Sequence, residues 1–265
     1  MIKPYYQEDC GTIYCGDNQD ILPELSGIDL VVTSPPYDNL REYGGHGIYF
    51  SDVPSLLYKS MADGGVCVWV VGDQVIDGSE SGSSFRQALC FMDNGFSLHD
   101  TMIYGKNGNP NSEATRYSQM FEYMFVFSKG KPKTFNPIKQ SSLYYTGKQK
   151  YHTRRQRNGA TKGGMYFINP DRNLDNIWIY DIGYMKSAKE DYIFDHPAIF
   201  PEQLALDHII SWSNPGDLIL DPFMGSGTTA YCAKKLGRSY IGIEIEEKYC
   251  GIAKKRLAQS VMRLE

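Results

Sequence analysis

Residues 218–230 are the part of the sequence that most limits the possible folds. An apolar run, Leu-Ile-Leu, is followed by Asp221-Pro-Phe-Met and by a Gly-x-Gly-x-x-Ala segment that begins at Gly225. This order is typical of a strand, a tight glycine turn and the start of a helix, where the backbone closely approaches a nucleotide-like ligand. The next apolar stretch ends at Glu244, 17 residues after the second glycine, where a carboxylate can bind ribose hydroxyls. A βα turn that binds no ligand would give the same spacing.

Asp221 narrows the choice of ligand because it stands directly at the end of the strand. A carboxylate there repels phosphate and suits a cationic group, such as the amino-acid end of S-adenosylmethionine. No Gly-Lys-Ser/Thr follows the glycine turn, which excludes a P-loop. A dinucleotide oxidoreductase also fits the turn, but that interpretation leaves a second unusual segment unexplained.

This second segment is Thr-Ser-Pro-Pro-Tyr at residues 33–37, which follows a short apolar strand. Each proline fixes φ and leaves its carbonyl as an acceptor, and Ser34 adds a hydroxyl oxygen. Such acceptors can hold an exocyclic amino group and turn its lone pair out of conjugation, which makes the nitrogen nucleophilic. Tyr37 offers an aromatic face on which a flipped-out base could stack. A proline-stiffened loop without a ligand would give the same residues.

Together the two segments resemble those of the amino-group DNA methyltransferases, which methylate cytosine at N4 or adenine at N6. The catalytic S-P-P-Y segment precedes the D-P-F-x-G-S-G-T-T cofactor segment by about 190 residues, an order that resembles the β group of this family. Residues 15–17, Cys-Gly-Asp, are similar to the acidic motif that contacts the cofactor adenine. Residues 196–201, His-Pro-Ala-Ile-Phe-Pro, are similar to the segment over the methionine end. The resemblance covers residues 12–130 and 194–255.

The resemblance implies an S-adenosylmethionine-dependent enzyme that releases S-adenosylhomocysteine, and it assigns roles to individual residues. The catalytic residues it implies are Ser34, Pro35, Pro36 and Tyr37. The cofactor-binding residues it implies are Asp17, Phe200, Asp221, Phe223, Gly225, Ser226, Gly227, Thr228, Thr229 and Glu244. No metal is expected, because none of the six cysteines forms a C-x-x-C pair and no His cluster accompanies them. No cysteine follows a proline either, which argues against methylation at cytosine C5.

The remaining pattern predicts an α/β fold with a doubly wound sheet. Apolar strands, among them a continuous run at residues 66–71, alternate with helical stretches at residues 53–61, 84–94, 201–213, 227–236 and 247–260. With the resemblance, this becomes a mostly parallel, seven-stranded, Rossmann-like methyltransferase sheet. Ligands of open α/β sheets bind beyond the carboxyl ends of the strands. We therefore expect strands 28–33 and 218–220 to be neighbours.

The charge distribution predicts an inserted region. The chain carries a formal net charge of −4, yet residues 129–172 hold 11 Lys or Arg and a single acid. A local asymmetry of this kind indicates a nucleic-acid-binding segment within an acidic protein. We predict a catalytic domain of residues 1–128 and 191–265 and a basic target-recognition region of residues 129–190. The candidate DNA-binding residues are Lys148, Lys150, Arg154, Arg155, Arg157 and Lys162. A solvated basic loop would carry the same charges.

The choice of substrate stays open at this level. Serine at position 34 is commoner among the family's cytosine-N4 enzymes, so the resemblance slightly favours cytosine over adenine. An RNA or protein-amide methyltransferase and an inactive nucleic-acid-binding protein with this fold are also compatible with the sequence. Double-stranded DNA is the expected partner, with a homodimer and a companion restriction endonuclease as open questions. No apolar run reaches the length of a membrane span, and the cysteine usage predicts a cytoplasmic location.

Overall fold

The computed structural model describes residues 2–36, 52–108, 115–142, 147, 149–167, 169–183 and 201–259. Three of the candidate site residues, Tyr37, Lys148 and Phe200, lie outside the described residues. For Lys150 the structure describes the backbone alone.

The described residues form strands and helices that largely alternate along the chain. The strands are β1 Tyr6–Glu8, β2 Gly11–Cys15, β3 Ile28–Thr33, β4 Met61–Val71, β5 Val75–Ile76, β6 Ser79–Glu80, β7 Ser97–Asn107, β8 Phe121–Ser128, β9 Lys139–Ser141, β10 Gln149–Arg155, β11 Thr161–Phe167, β12 Asp171–Asn173, β13 Ile177–Asp181, β14 Leu218–Asp221 and β15 Ser239–Glu244. The helices are α1 Asn18–Ile21, α2 Val53–Ser60, α3 Ser83–Asp93, α4 Glu202–Trp212, α5 Thr228–Lys235 and α6 Glu247–Leu257, with a 3₁₀ turn at Leu22–Glu24.

The main sheet confirms the predicted fold class. Its strand order is β1-β2-β15-β14-β3-β4-β8-β7-β13, and the five central strands from β2 to β4 are all parallel. Strand β8 pairs antiparallel with both β4 and β7. The sheet has nine strands instead of the predicted seven because a short strand is added at each edge, β1 on β2 and β13 on β7.

The core lies on both faces of this sheet, as a doubly wound fold requires. Val31 and Trp69 point to one face, where they join Leu57 of α2 and Phe91 of α3 in a cluster of fully buried side chains. The ring of Phe91 is stacked on Phe127 with centroids 4.3 Å apart. Because side chains alternate along a strand, Leu30 and Val32 of β3 point to the opposite face, on which α4 packs.

Residues Pro137–Asp175 form a second compact unit. It contains a three-pair ladder between β9 and β12 and a seven-pair ladder between β10 and β11. The predicted insertion at residues 129–190 is wider than this unit. Strand β13 lies inside the predicted range, yet it belongs to the main sheet, where Trp178 pairs with Tyr104 of β7. Among the described residues, no helix is long and apolar enough to cross a membrane.

Candidate active site

The candidate site is built at the carboxyl ends of four adjacent parallel strands. In sheet order these are β2, β15, β14 and β3. Asp17 follows β2, Glu244 ends β15, Asp221 ends β14, and Ser34 follows β3. The expected neighbourhood of β3 and β14 is confirmed, with Leu30 in register with Ile219. Although the two motifs are about 190 residues apart in the sequence, the strand order therefore brings both to the same end of the parallel strands.

Two buried hydrogen bonds join the Ser-Pro-Pro segment to the cofactor motif. The Thr33 hydroxyl donates to Oδ1 of Asp221 over 2.6 Å, and both residues are essentially inaccessible to solvent. The Thr229 hydroxyl donates to the carbonyl oxygen of Val32 over 3.0 Å. Thr33 directly precedes Ser34, so these contacts fix the position at which the proline segment leaves the sheet.

The glycine turn has the conformation that its sequence predicts. Gly225 and Gly227 have φ angles of +53° and +82°, in the left-handed region that side chains other than glycine rarely adopt. The Gly227 N–H donates to the Met224 carbonyl over 2.9 Å, and the Met224 N–H donates to the Ile243 carbonyl over 2.9 Å. A Cβ atom added at Gly227 would lie 3.0 Å from the Cβ of Ala253 on α6. The turn is therefore closely packed as well as conformationally special.

Two of the three carboxylates of the site, those of Asp221 and Glu244, are buried, and burial raises the pKa of each. For Asp221 burial raises the pKa to about 6, although hydrogen bonds from Thr33 and from the Phe223 N–H oppose this change. Glu244 has its pKa raised by burial, while its oxygens accept from the Gly225 N–H over 2.8 Å and from the Glu246 N–H over 3.0 Å. Glu244 thus holds the glycine turn directly. An ionised Asp221 in such surroundings favours a cationic partner.

Asp17 occupies the exposed end of the same edge. Its Oδ1 accepts from the Gln19 N–H over 2.9 Å and so caps the short helix α1. The neighbouring Asn18 is buried and donates from Nδ2 to the Pro222 carbonyl over 3.0 Å, which ties α1 to the Asp-Pro-Phe turn. The Gly16 N–H donates to the Glu244 carbonyl over 2.9 Å.

The other predicted cofactor residues surround the turn. Phe223 is half-buried and meets Trp69 edge to face, with ring centroids 5.8 Å apart. Ser226, Thr228 and Thr229 are buried in the turn and the first residues of α5. The predicted residues Ser34, Pro35 and Pro36 lie immediately after β3.

Sequence reasoning missed a buried cation behind the turn. Arg256 of α6 is fully buried and donates from Nη1 to the Thr228 hydroxyl over 3.1 Å. Its Nη2 pairs with the carboxylate of Glu202, the first residue of α4. The guanidinium also lies over the ring of Tyr231, 4.6 Å from the centroid. No sequence signal identifies this contact, because Arg256 lies among the charged residues of a C-terminal helix.

Four of the candidate DNA-binding residues, all with described side chains, lie on one β-hairpin. Arg154 and Arg155 end β10, Lys162 lies in β11, and Arg157 lies in the connection between the two strands. All four side chains are exposed. Within the described part of the chain, no group of three or more His, Cys, Asp or Glu side chains could hold a metal ion.

Comparison with known proteins places these features in a family. The sequence model of the DNA methylase family matches residues 28–255. The chain is 50% identical to the orphan methyltransferase M.BamHII of Bacillus amyloliquefaciens, over 89% of this chain and 90% of that protein. It is 31% identical to the type II methyltransferase M.HinfI of Haemophilus influenzae, over 98% of this chain and 71% of that protein.

Two solved structures have the same fold. The cytosine-N4-specific PvuII DNA methyltransferase superimposes with a TM-score of 0.72 and 21% identity, over 98% of this chain and 90% of that one. The complex of M1.HpyAVI with S-adenosylmethionine gives a TM-score of 0.65 and 24% identity, over 94% of this chain and 100% of that one.

Proposed function

The chain belongs to the N6/N4 DNA methylase family of S-adenosylmethionine-dependent enzymes, and we propose that it methylates the exocyclic amino group of cytosine in double-stranded DNA. One observation carries the assignment of the site. The buried hydrogen bond between Thr33 and Asp221 links the Ser-Pro-Pro segment to the cofactor motif at the carboxyl ends of adjacent strands. A methyl donor and an amino acceptor held by these two segments would lie side by side.

The residues at the sheet edge fit S-adenosylmethionine. Asp221 is a buried carboxylate with a raised pKa, and a cationic partner would offset the cost of its ionisation. The glycine turn has positive φ angles at Gly225 and Gly227 and admits close approach to the backbone. Asp17 and Glu244 are the proposed partners for the adenine and ribose. When bound, the cofactor supplies an electrophilic methyl group on a sulfonium sulfur.

The Ser-Pro-Pro segment would hold the acceptor. The Ser34 hydroxyl oxygen and the Pro35 carbonyl accept hydrogen bonds from the amino group, which turns its lone pair away from the ring. Tyr37 would stack on the base after it leaves the duplex. The nitrogen loses its surplus proton to solvent, because neither a serine hydroxyl nor a peptide carbonyl retains one. Positioning of the two reactants then supplies most of the rate acceleration.

Cytosine N4 is proposed over adenine N6 because position 34 carries Ser, which is commoner among the cytosine-N4 members of the family. Adenine N6 is the second candidate. The second unit is proposed to select the target sequence, since it holds the candidate DNA-binding cations. A homodimer, a companion restriction endonuclease and a cytoplasmic location stay predictions.

The test is methyl transfer from tritiated S-adenosylmethionine to double-stranded DNA, RNA and protein in parallel. Mass spectrometry of nucleosides from the modified DNA then identifies the product. We expect N4-methylcytosine, formed by the wild type and absent with Ser34→Ala. N6-methyladenine would correct the base, and labelling of RNA or protein alone would refute DNA as the substrate. Binding of DNA without any transfer would support an inactive nucleic-acid-binding protein.

A further inference from the structure

The hairpin of β10 and β11 is the longest regular element of the second unit. Its strands pair in continuous antiparallel register from Gln149–Phe167 to Arg155–Thr161, with no bulge. Neighbouring strands lie about 4.8 Å apart, and each residue advances about 3.4 Å along the strand. The hairpin is therefore a narrow ribbon about 20 Å long.

The connection between the two strands is a tight, internally bonded turn. The Gly159 N–H donates to the Gln156 carbonyl over 3.0 Å, and the Gln156 N–H donates to the Ala160 carbonyl over 2.7 Å. Gly159 has a φ of +81°, and Oδ1 of Asn158 accepts from the Ala160 N–H over 3.1 Å. These features are typical of a type I turn followed by a glycine in the left-handed region. Arg157 is thus presented on a fixed corner at the end of the ribbon.

A tyrosine packs across the middle of the ribbon. The side chain of Tyr151 lies across Gly163, so that a Cβ atom at this glycine would come within 2.0 Å of the tyrosine hydroxyl. Only glycine permits this contact. The Tyr151 side chain is nevertheless 66% exposed, so its contact with Gly163 leaves most of the side chain accessible to solvent.

The charges of the ribbon are unfavourable in the isolated protein. Residues 149–167 contain five Lys or Arg and no acid. Arg154 stands directly opposite Lys162 in the ladder, and cross-strand partners lie on the same face. Like charges in this arrangement repel one another and destabilise a hairpin. An anionic partner with closely spaced charges would remove this repulsion.

From this arrangement we propose that the β10–β11 ribbon enters the major groove of the target DNA and that Arg157 reads a guanine there. The proposal rests on the proposed function. The major groove is about 12 Å wide and admits a two-stranded ribbon, and arginine recognises guanine through paired hydrogen bonds to O6 and N7. A preformed turn holds the Arg157 backbone in place for this contact. Arg154 and Lys162 form the phosphate-binding pair beside it.

The experiment compares base reading with phosphate binding. Sequencing that detects modified bases first defines the sequence that the wild type methylates on plasmid DNA. Methylation of duplexes with single base changes, and binding across a salt series, are then measured for Arg157→Ala, Arg157→Lys, Arg154→Ala and Lys162→Ala. Affinity for S-adenosylhomocysteine serves as the control for folding.

For Arg157→Ala, discrimination at one guanine position should fall by about 5- to 150-fold. Arg157→Lys keeps the charge but lacks the planar guanidinium fork, so it should lose part of this discrimination. Arg157→Lys should keep the salt dependence of the wild type. Arg154→Ala and Lys162→Ala should keep the recognised sequence and reduce the slope of log K against log salt by about 0.9 each. Unchanged discrimination in both Arg157 variants, or altered discrimination in Arg154→Ala, would overturn the inference. A wild type that leaves all DNA unmethylated would instead refute the proposed function.

Discussion

The hydrogen bond from Thr33 to Asp221 is the contact whose removal tests the site most directly. Thr33→Val deletes the hydroxyl and retains the volume of the side chain. The donor and acceptor are 2.6 Å apart, and both residues are buried. In the variant, the Asp221 carboxylate loses one of its hydrogen bonds and has no water to replace it. The variant therefore disfavours the ionised form of Asp221.

The size of the effect follows from the cost of losing such a bond. A hydrogen bond to a charged group contributes about 1.5–3 kcal/mol, and one pKa unit corresponds to about 1.4 kcal/mol. The pKa of Asp221, already raised to about 6, should therefore increase by a further one to two units or so. Because this pKa is higher in the folded than in the unfolded chain, ionisation lowers stability as the pH rises. This loss ends near pH 6 in the wild type and continues to about pH 7–8 in Thr33→Val.

Two measurements check this prediction. Urea unfolding between pH 5 and pH 8.5 should give a free energy of unfolding about 1.5–3 kcal/mol lower for Thr33→Val at pH 8, with a smaller difference at pH 5. Calorimetric binding of S-adenosylhomocysteine should weaken on acidification with a midpoint near pH 6 in the wild type and about one to two pH units higher in the variant. Thr33→Ser, which keeps a hydroxyl, is the matched control.

Two results would contradict this prediction. If Thr33→Val lowers the free energy of unfolding equally at every pH, then the Thr33 hydroxyl does not affect the ionisation of Asp221. If the pH midpoint of ligand binding is the same in Thr33→Val, Thr33→Ser and wild type, then the coupling between the two motifs is refuted.

Three further substitutions test the catalytic segment and the buried polar groups. Ser34→Ala should reduce methyl transfer by about 100-fold or more with S-adenosylhomocysteine affinity within about twofold of wild type; full activity contradicts the catalytic assignment. Arg256→Met leaves the Glu202 carboxylate without its partner and should lower the free energy of unfolding by about 3–5 kcal/mol, part of which Glu202→Gln in the same chain should restore; an unchanged urea midpoint argues against a structural role. His208 is buried with its pKa lowered to about 3, so stability should fall with acidification below about pH 6.5 by up to about 1.4 kcal/mol per pH unit; His208→Phe should lack this contribution, and equal slopes in the two proteins would disprove it.

The regular elements could be predicted because each has a local signal. The apolar run at residues 66–71 lies in β4, and the helix expected at residues 84–94 is α3, Ser83–Asp93. Strand β13 could not be separated from the basic region around it. It alternates exposed Ile177 and Ile179 with buried Trp178 and Tyr180. These residue types favour a strand, but no local signal shows which sheet the strand joins. Its partner strand lies about 70 residues earlier in the chain.

The candidate site likewise has features that the sequence predicts locally and contacts that depend on the fold. The positive φ angles at Gly225 and Gly227 are local requirements of a tight turn, so the spacing alone predicts them. The partner of Asp221 is 188 residues away, and the partners of Arg256 lie on two other helices. Sequence patterns specify residue types and local geometry. Which hydroxyl meets which carboxylate depends on the strand order, which brings Thr33 to Asp221.

The cations of the predicted basic insertion are divided between the two units. Two of the cations predicted to belong to the basic insertion are engaged in the first unit: Lys129 donates to the Met61 carbonyl over 2.8 Å, and Lys133 pairs with the Asp29 carboxylate. The five cations of residues 149–167 lie instead on a ribbon without acids. If Arg157 reads a base, the other four cations of this ribbon can release counterions from at most four phosphates. The slope of log K against log salt should then not exceed about 3.6 in magnitude, and a clearly steeper slope would require DNA-binding cations outside this ribbon.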